Sequence, residues 1–151
     1  MAITLGERSL SRLEWVHPDL VRVVHRAAAL AKPIDDFTVL EGVRSKETMW
    51  AYYGKGRTAA QCAAKGVPTT YAKAGEDKVT WLNDPLMSNH RKRNDGFGRA
   101  VDLAPFPIDW KNIPRFRVLM TLMEAAADME DVNISAGGRW RKADWPHFEL
   151  A

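Results

Sequence analysis

The chain has a single cysteine among its 151 residues, Cys62. One thiol excludes an internal disulfide and any thiolate zinc cluster. It lies in the alanine-rich run AAQCAAK with no histidine nearby, so it reads as a small packed thiol rather than a nucleophile. The sequence has no run of about 18 apolar residues, which excludes a membrane-spanning helix. Internal repeats and low-complexity tracts are absent as well. The opening stretch MAITLGERSLSRLEW lacks an apolar centre and a small-residue cleavage site. It is therefore not read as a secretory signal, and synthesis in the cytoplasm is the expectation.

What is present is ordinary globular composition. Hydrophobic residues make up 46% and charged residues 27%, which excludes a disordered chain. A length of 151 residues suits one domain. Lys and Arg number 22 against 19 Asp and Glu, a net charge of +3, with a pI near 9.1. That balance permits nucleic acid, phospholipid or bacterial wall polymer as partners and chooses none of them.

Hydrophobic periodicity and capping residues place the elements. Residues 17–31 read as a helix, with Pro18 in its first turn and His17 as its cap. DFTVLEGV (36–43) reads as a short strand. Ser45 is a candidate cap for a helix reaching Tyr53 and closed by Gly54 and Gly56. Thr58 and Gln61 have the spacing of a capping box for a further short helix. KVTWL (78–82) is expected as a strand, 83–99 as a loop, and Ala100–Ala104 as a strand. Pro114–Met129 has the clearest helical stripe; DVNISAGG and Pro146–Leu150 complete the set as strands. Helices and strands mix without regular β-α-β alternation. The expected fold class is α+β, a small, mainly antiparallel sheet packed with helices.

With thiolates excluded, any metal must be held by histidine and carboxylate. The histidines number four: His17, His25, His90 and His147. His17 and His25 belong to the first helix and have no partner at useful spacing. Strand alternation puts Asp102 on one face with Ala100 and Ala104, and His147 on one face with Glu149. Each strand thus presents an apolar face for a core and a polar face with one metal-capable group. With His90 from the preceding loop, the candidate set is His, Asp, His. That donor set suits zinc, which in catalytic sites has three protein ligands and an open fourth position. Ligand type alone does not establish a metal site: the alternative is a satisfied histidine at a strand start and a salt-bridging aspartate.

Two segments carry a resemblance: SNH…GFGRAVDLAP and DWPHFEL. Together they resemble the Ser-x-His…Gly-x-Ala-x-Asp and Asp/Glu-x-x-His signatures of the M15 zinc peptidases. That group holds D-alanyl-D-alanine carboxypeptidases and phage L-alanyl-D-glutamate endopeptidases. SLSRLEWVHPDLVRVV, EGVRSKE, GKGRT and GGRW are similar to the phage endolysin branch, so the resemblance covers almost the whole chain. One departure is a longer interval, with eleven residues between His90 and Asp102, which looks like a loop extension within RKRNDGFG.

The resemblance implies a hedgehog/DD-peptidase-like fold over 1–151, with no separate wall-binding domain. It implies His90, Asp102 and His147 as ligands of Zn2+. Asp144 matches the catalytic carboxylate that moves a proton from attacking water to the leaving amine. Arg44 matches the arginine that polarises the scissile carbonyl or holds a substrate carboxylate. Ser88 and Trp140 are candidates for substrate contact, and Glu149 for support of His147. The implied activity is hydrolysis of a peptidoglycan stem peptide at the L-Ala–D-Glu amide, as a phage or prophage endolysin or in wall opening for secretion. The implied setting is a monomer that binds no nucleic acid, released through a holin and acting in the periplasm. A D,D-carboxypeptidase or dipeptidase is the alternative within the family. A non-catalytic wall- or nucleic-acid-binding module using Arg91-Lys92-Arg93 is the alternative outside it.

Overall fold

The computed structural model describes residues 2–151. The chain divides into two compact units, one formed by the residues up to Val43 together with Lys92–Ala151, the other by Arg44–Arg91.

The larger unit holds a four-stranded sheet: β1 (Phe37–Glu41), β2 (Ala100–Pro105), β3 (Ile134–Ala136) and β4 (His147–Leu150). The spatial order is β1-β2-β4-β3, and all three pairings are antiparallel. Three helices accompany it: α1 (Glu7–Arg12), α2 (Pro18–Leu30) and, later in the chain, α5 (Ile113–Met129). The α+β class with a small antiparallel sheet is as expected.

The apolar stripes explain the packing. Val23, Val24 and Ala27 of α2 meet Leu119, Met123 and Ala126 of α5, all essentially buried. Val101, Leu103 and Phe148 supply the sheet's side of that core, again by alternation. Phe148 is fully buried, so truncation to alanine would cost about 3–5 kcal/mol. Pro18 opens α2, and His17 Nδ1 accepts the Asp19 N–H at 3.1 Å. The sequence reading did not include α1. It spans only six residues, too few to show a period, and it is held by contacts remote in sequence, such as Ser9 Oγ accepting the Val39 N–H at 3.0 Å.

The smaller unit contains α3 (Lys46–Gly54) and α4 (Ala59–Ala64). Ser45 Oγ accepts the Thr48 N–H at 3.1 Å and starts α3. The expected capping box forms in full: Thr58 Oγ1 accepts the Gln61 N–H, and Gln61 Oε1 accepts the Thr58 N–H. Cys62 is buried beside Tyr53 and Val67 in a small core, as its packed reading required. One expectation fails here. KVTWL forms no strand, although its residues favour one. Instead the Arg57 guanidinium, itself buried, donates to Thr80 O at 2.9 Å and to Tyr53 O at 2.8 Å. Side-chain anchoring replaces a ladder, and Val79 and Trp81 remain exposed.

Candidate metal centre

In β2, Asp102 is flanked on its own face by Ala100 and Ala104, both fully buried. Their short side chains leave space around the carboxylate. The partner directly across in β4 is His147. His147 Nδ1 lies 3.3 Å from Asp102 Oδ1, and His147 Nε2 lies 2.7 Å from Glu149 Oε1. Burial of the imidazole alone would lower its pKa. The hydrogen bonds and negative charges of Asp102 and Glu149 outweigh that and raise it above the ordinary 6.5.

The approach to β4 is built by two glycines. The Asp144 N–H donates to Gly137 O at 2.9 Å, and the His147 N–H donates to Asp144 O at 3.2 Å. A Cβ on Gly137 would meet Asp144 O at 2.3 Å and His147 Cβ at 3.0 Å, so only glycine fits. One on Gly138 would strike the Trp145 ring at 2.6 Å. Pro146 pushes Trp145 toward extended backbone. The strand therefore begins at His147, and Asp144 sits exposed in the turn before it. Trp140 tilts over the His147 ring at a centroid distance of 5.1 Å, its Nε1–H donating to Ser135 Oγ at 3.0 Å.

In the smaller unit, His90 is buried and its backbone is pinned at both ends. Its N–H donates to Ser88 Oγ at 3.1 Å, and its carbonyl accepts the Arg44 N–H at 2.8 Å. Arg44 Nη1 donates to the same Ser88 hydroxyl at 3.3 Å, with the guanidinium 4.6 Å from the Tyr52 ring centre. Ser88 thus links Arg44 to the His90 backbone. Tyr52 was not foreseen. It lies eight residues after Arg44, a separation at which no local spacing rule pairs two side chains.

The loop extension that follows is an ordered turn. Gly96 adopts φ +88°, and the Arg93 N–H donates to Phe97 O at 3.0 Å. Asp95 accepts from Arg99 and from the Phe97 N–H, which pushes its carboxyl down to about 2.

His90, Asp102 and His147 each offer a ligand atom, and these atoms all lie within 4.8 Å of one another, so the three residues could hold a metal ion. The fit can be tested on the Asp102–His147 pair. Two donors at about 2.0 Å from a tetrahedral ion stand roughly 3.3 Å apart. The observed 3.3 Å separation matches that edge.

The family model described as phage L-alanyl-D-glutamate peptidase matches residues 1–69, a stretch that includes Arg44 and ends before His90. Across nearly the whole chain, the structure is similar to the Serratia marcescens L-Ala D-Glu endopeptidase ChiX. The TM-score is 0.64 at 26% sequence identity, covering 99% of this chain and 91% of that one. Fold and family likeness together support a hydrolase of the peptidase class. The particular type they support is the phage-type M15 endopeptidase. Among the described residues, no helix is long and apolar enough to cross a membrane.

Proposed function

We propose that this protein is a zinc-dependent peptidoglycan endopeptidase that cuts the stem peptide at the amide between L-Ala and D-Glu. The observation that carries the reading is the convergence of His90, Asp102 and His147 donor atoms within 4.8 Å, in a chain similar to an L-Ala D-Glu endopeptidase along almost its full length. Two imidazoles and one carboxylate are a zinc donor set, and zinc so held polarises a carbonyl and lowers the pKa of a water to about 7.

The chain's own groups do the rest. Asp144, exposed in its turn, accepts a proton from the attacking water. As the C–N bond breaks, it returns that proton to the departing amine nitrogen. Arg44 offers a planar pair of donors to the oxygen that gains charge or to a stem-peptide carboxylate. Tyr52 beneath its guanidinium and Ser88 at Nη1 fix the direction of those donors. Trp140 supplies an apolar wall beside His147. Residues 1–151 serve as one catalytic domain and act as a monomer on the wall from the periplasm. Release through a holin-type pore fits the endolysin likeness.

Digestion of purified sacculi tests this reading. Mass analysis of the fragments should find new amino termini at D-Glu, and a chelator should abolish them. Release of free D-Ala alone would overturn the endopeptidase assignment in favour of a carboxypeptidase.

A further inference from the structure

We propose that Trp15 and the loop Lys92–Arg99 form a stacking platform for the glycan strand that carries the stem peptide. The proposal rests on the endopeptidase reading above and adds to it a contact with the sugar chain. Trp15 has φ +63°. That is the left-handed region, where a bulky residue is strained and glycine is free. The indole is also 58% exposed, so core packing does not offset the strain. A large apolar ring held in water on a disfavoured backbone is a feature that folding alone does not explain.

The loop extension between His90 and Asp102 builds the rest of the platform. It docks on residues 15–17 through the backbone. The Gly98 N–H donates to Trp15 O at 2.9 Å, and the His17 N–H donates to Gly98 O at 2.8 Å. The Phe97 ring meets the His17 ring edge-on, with centroids 5.9 Å apart. Lys92 brings Nζ to 4.3 Å from the Trp15 ring centre, and Lys92 and Asn94 are themselves exposed.

Sugar rings present apolar C–H faces bordered by hydroxyl and N-acetyl groups. An exposed indole suits the faces, and ammonium and amide donors suit the border. The charges do not form a basic stripe. Asp95 pairs with Arg99, Glu14 stands exposed before Trp15, and the Lys92 ammonium is turned onto the ring. This mix fits a weakly charged polymer better than the dense phosphates of nucleic acid. Position points the same way. Gly98 lies four residues before Asp102, at most about 14 Å along the chain. L-Ala is the stem residue attached to the sugar, so the amide to be cut and the glycan are one residue apart.

The test titrates peptide-free strands of alternating N-acetylglucosamine and N-acetylmuramic acid into the full chain. A peptidase cannot cut them, so binding is read alone. Indole N–H shifts are followed by NMR, with the Trp15 signal assigned by its loss in Trp15→Gly. That signal should move as strands are added. Trp15→Gly relieves the strained φ, so its melting temperature should hold or rise. It should bind strands about tenfold more weakly, and lose sacculus digestion by a similar factor relative to hydrolysis of a sugar-free synthetic stem peptide. Trp15→Phe should retain most of the binding. A Trp15 signal that ignores the strands, or an equal loss on sacculi and on free peptide, would overturn the proposal. So would a signal that moves only with a DNA oligonucleotide, or only with protein concentration as for a second copy of this chain. Strand binding through Trp15 in a protein that cuts neither sacculi nor peptide would support the platform and overturn the endopeptidase reading.

Discussion

Asp102 and His147 face each other across adjacent strands, with Oδ1 and Nδ1 3.3 Å apart. Antiparallel register makes neighbours of residues 45 positions apart. The Asp102→Asn variant keeps the side-chain shape and removes the anionic donor. It should fold normally and bind zinc more weakly by more than about 100-fold, a larger loss than a supporting hydrogen bond gives. Elemental analysis after dialysis checks this, and stoichiometric zinc in the variant would refute Asp102 as a ligand.

Asp144 differs in kind from the ligands. It is exposed and held by its backbone to Gly137. Asp144→Ala should retain zinc and melting temperature but lose about 10²–10⁴-fold in turnover. Wild-type lysis by that variant would remove it from the reaction.

Arg44 should be intolerant of lysine. A point charge reproduces neither the planar donor pair nor the contact with Tyr52. Arg44→Ala should lose about 3 kcal/mol of transition-state stabilisation, and Arg44→Lys should recover little of it. Steady-state kinetics on a synthetic stem peptide would show this mainly in kcat.

Gly137→Ala is expected to destabilise the fold and displace the catalytic turn together. The added methyl meets a backbone oxygen at 2.3 Å, and a backbone cannot swing aside as a flexible side chain can. A cost of about 1–3 kcal/mol is expected by analogy with overpacked cores. Thermal unfolding should register it, and an unchanged melting temperature would show that the turn relaxes freely.

Acid should compete with metal at His147. Its pKa is raised above 6.5 in the folded, metal-free protein by Asp102 and Glu149, against the opposing effect of burial. The protonated form is therefore favoured on folding. Its stabilising contribution is present below pH 6.5 and fades as pH rises through the folded value. Zinc needs the neutral ring, so affinity should fall as pH drops through that same value. Titrations of zinc affinity and metal-free melting temperature against pH should thus slope in opposite directions.

Local chemistry was legible in the sequence and long-range contact was not. The Thr58–Gln61 box and the Ser45 cap follow from hydrogen-bonding rules over three residues, and both form. The α5 stripe and the faces of Asp102 and His147 follow from period alone. KVTWL misled because β propensity reflects packing against a partner strand, and Arg57 takes that segment instead. The role of Gly137 was hidden for the same reason: its need appears only when Asp144 and His147 are brought against it. The joint hold of Ser88 on Arg44 and His90 likewise depends on residues 44 positions apart.

The most direct measurement is anomalous diffraction at the zinc edge from crystals grown with the metal. A single peak within bonding distance of His90, Asp102 and His147, with the fourth position free of protein atoms, is the predicted result. A peak elsewhere, or a fourth side chain closing the coordination shell, would contradict it.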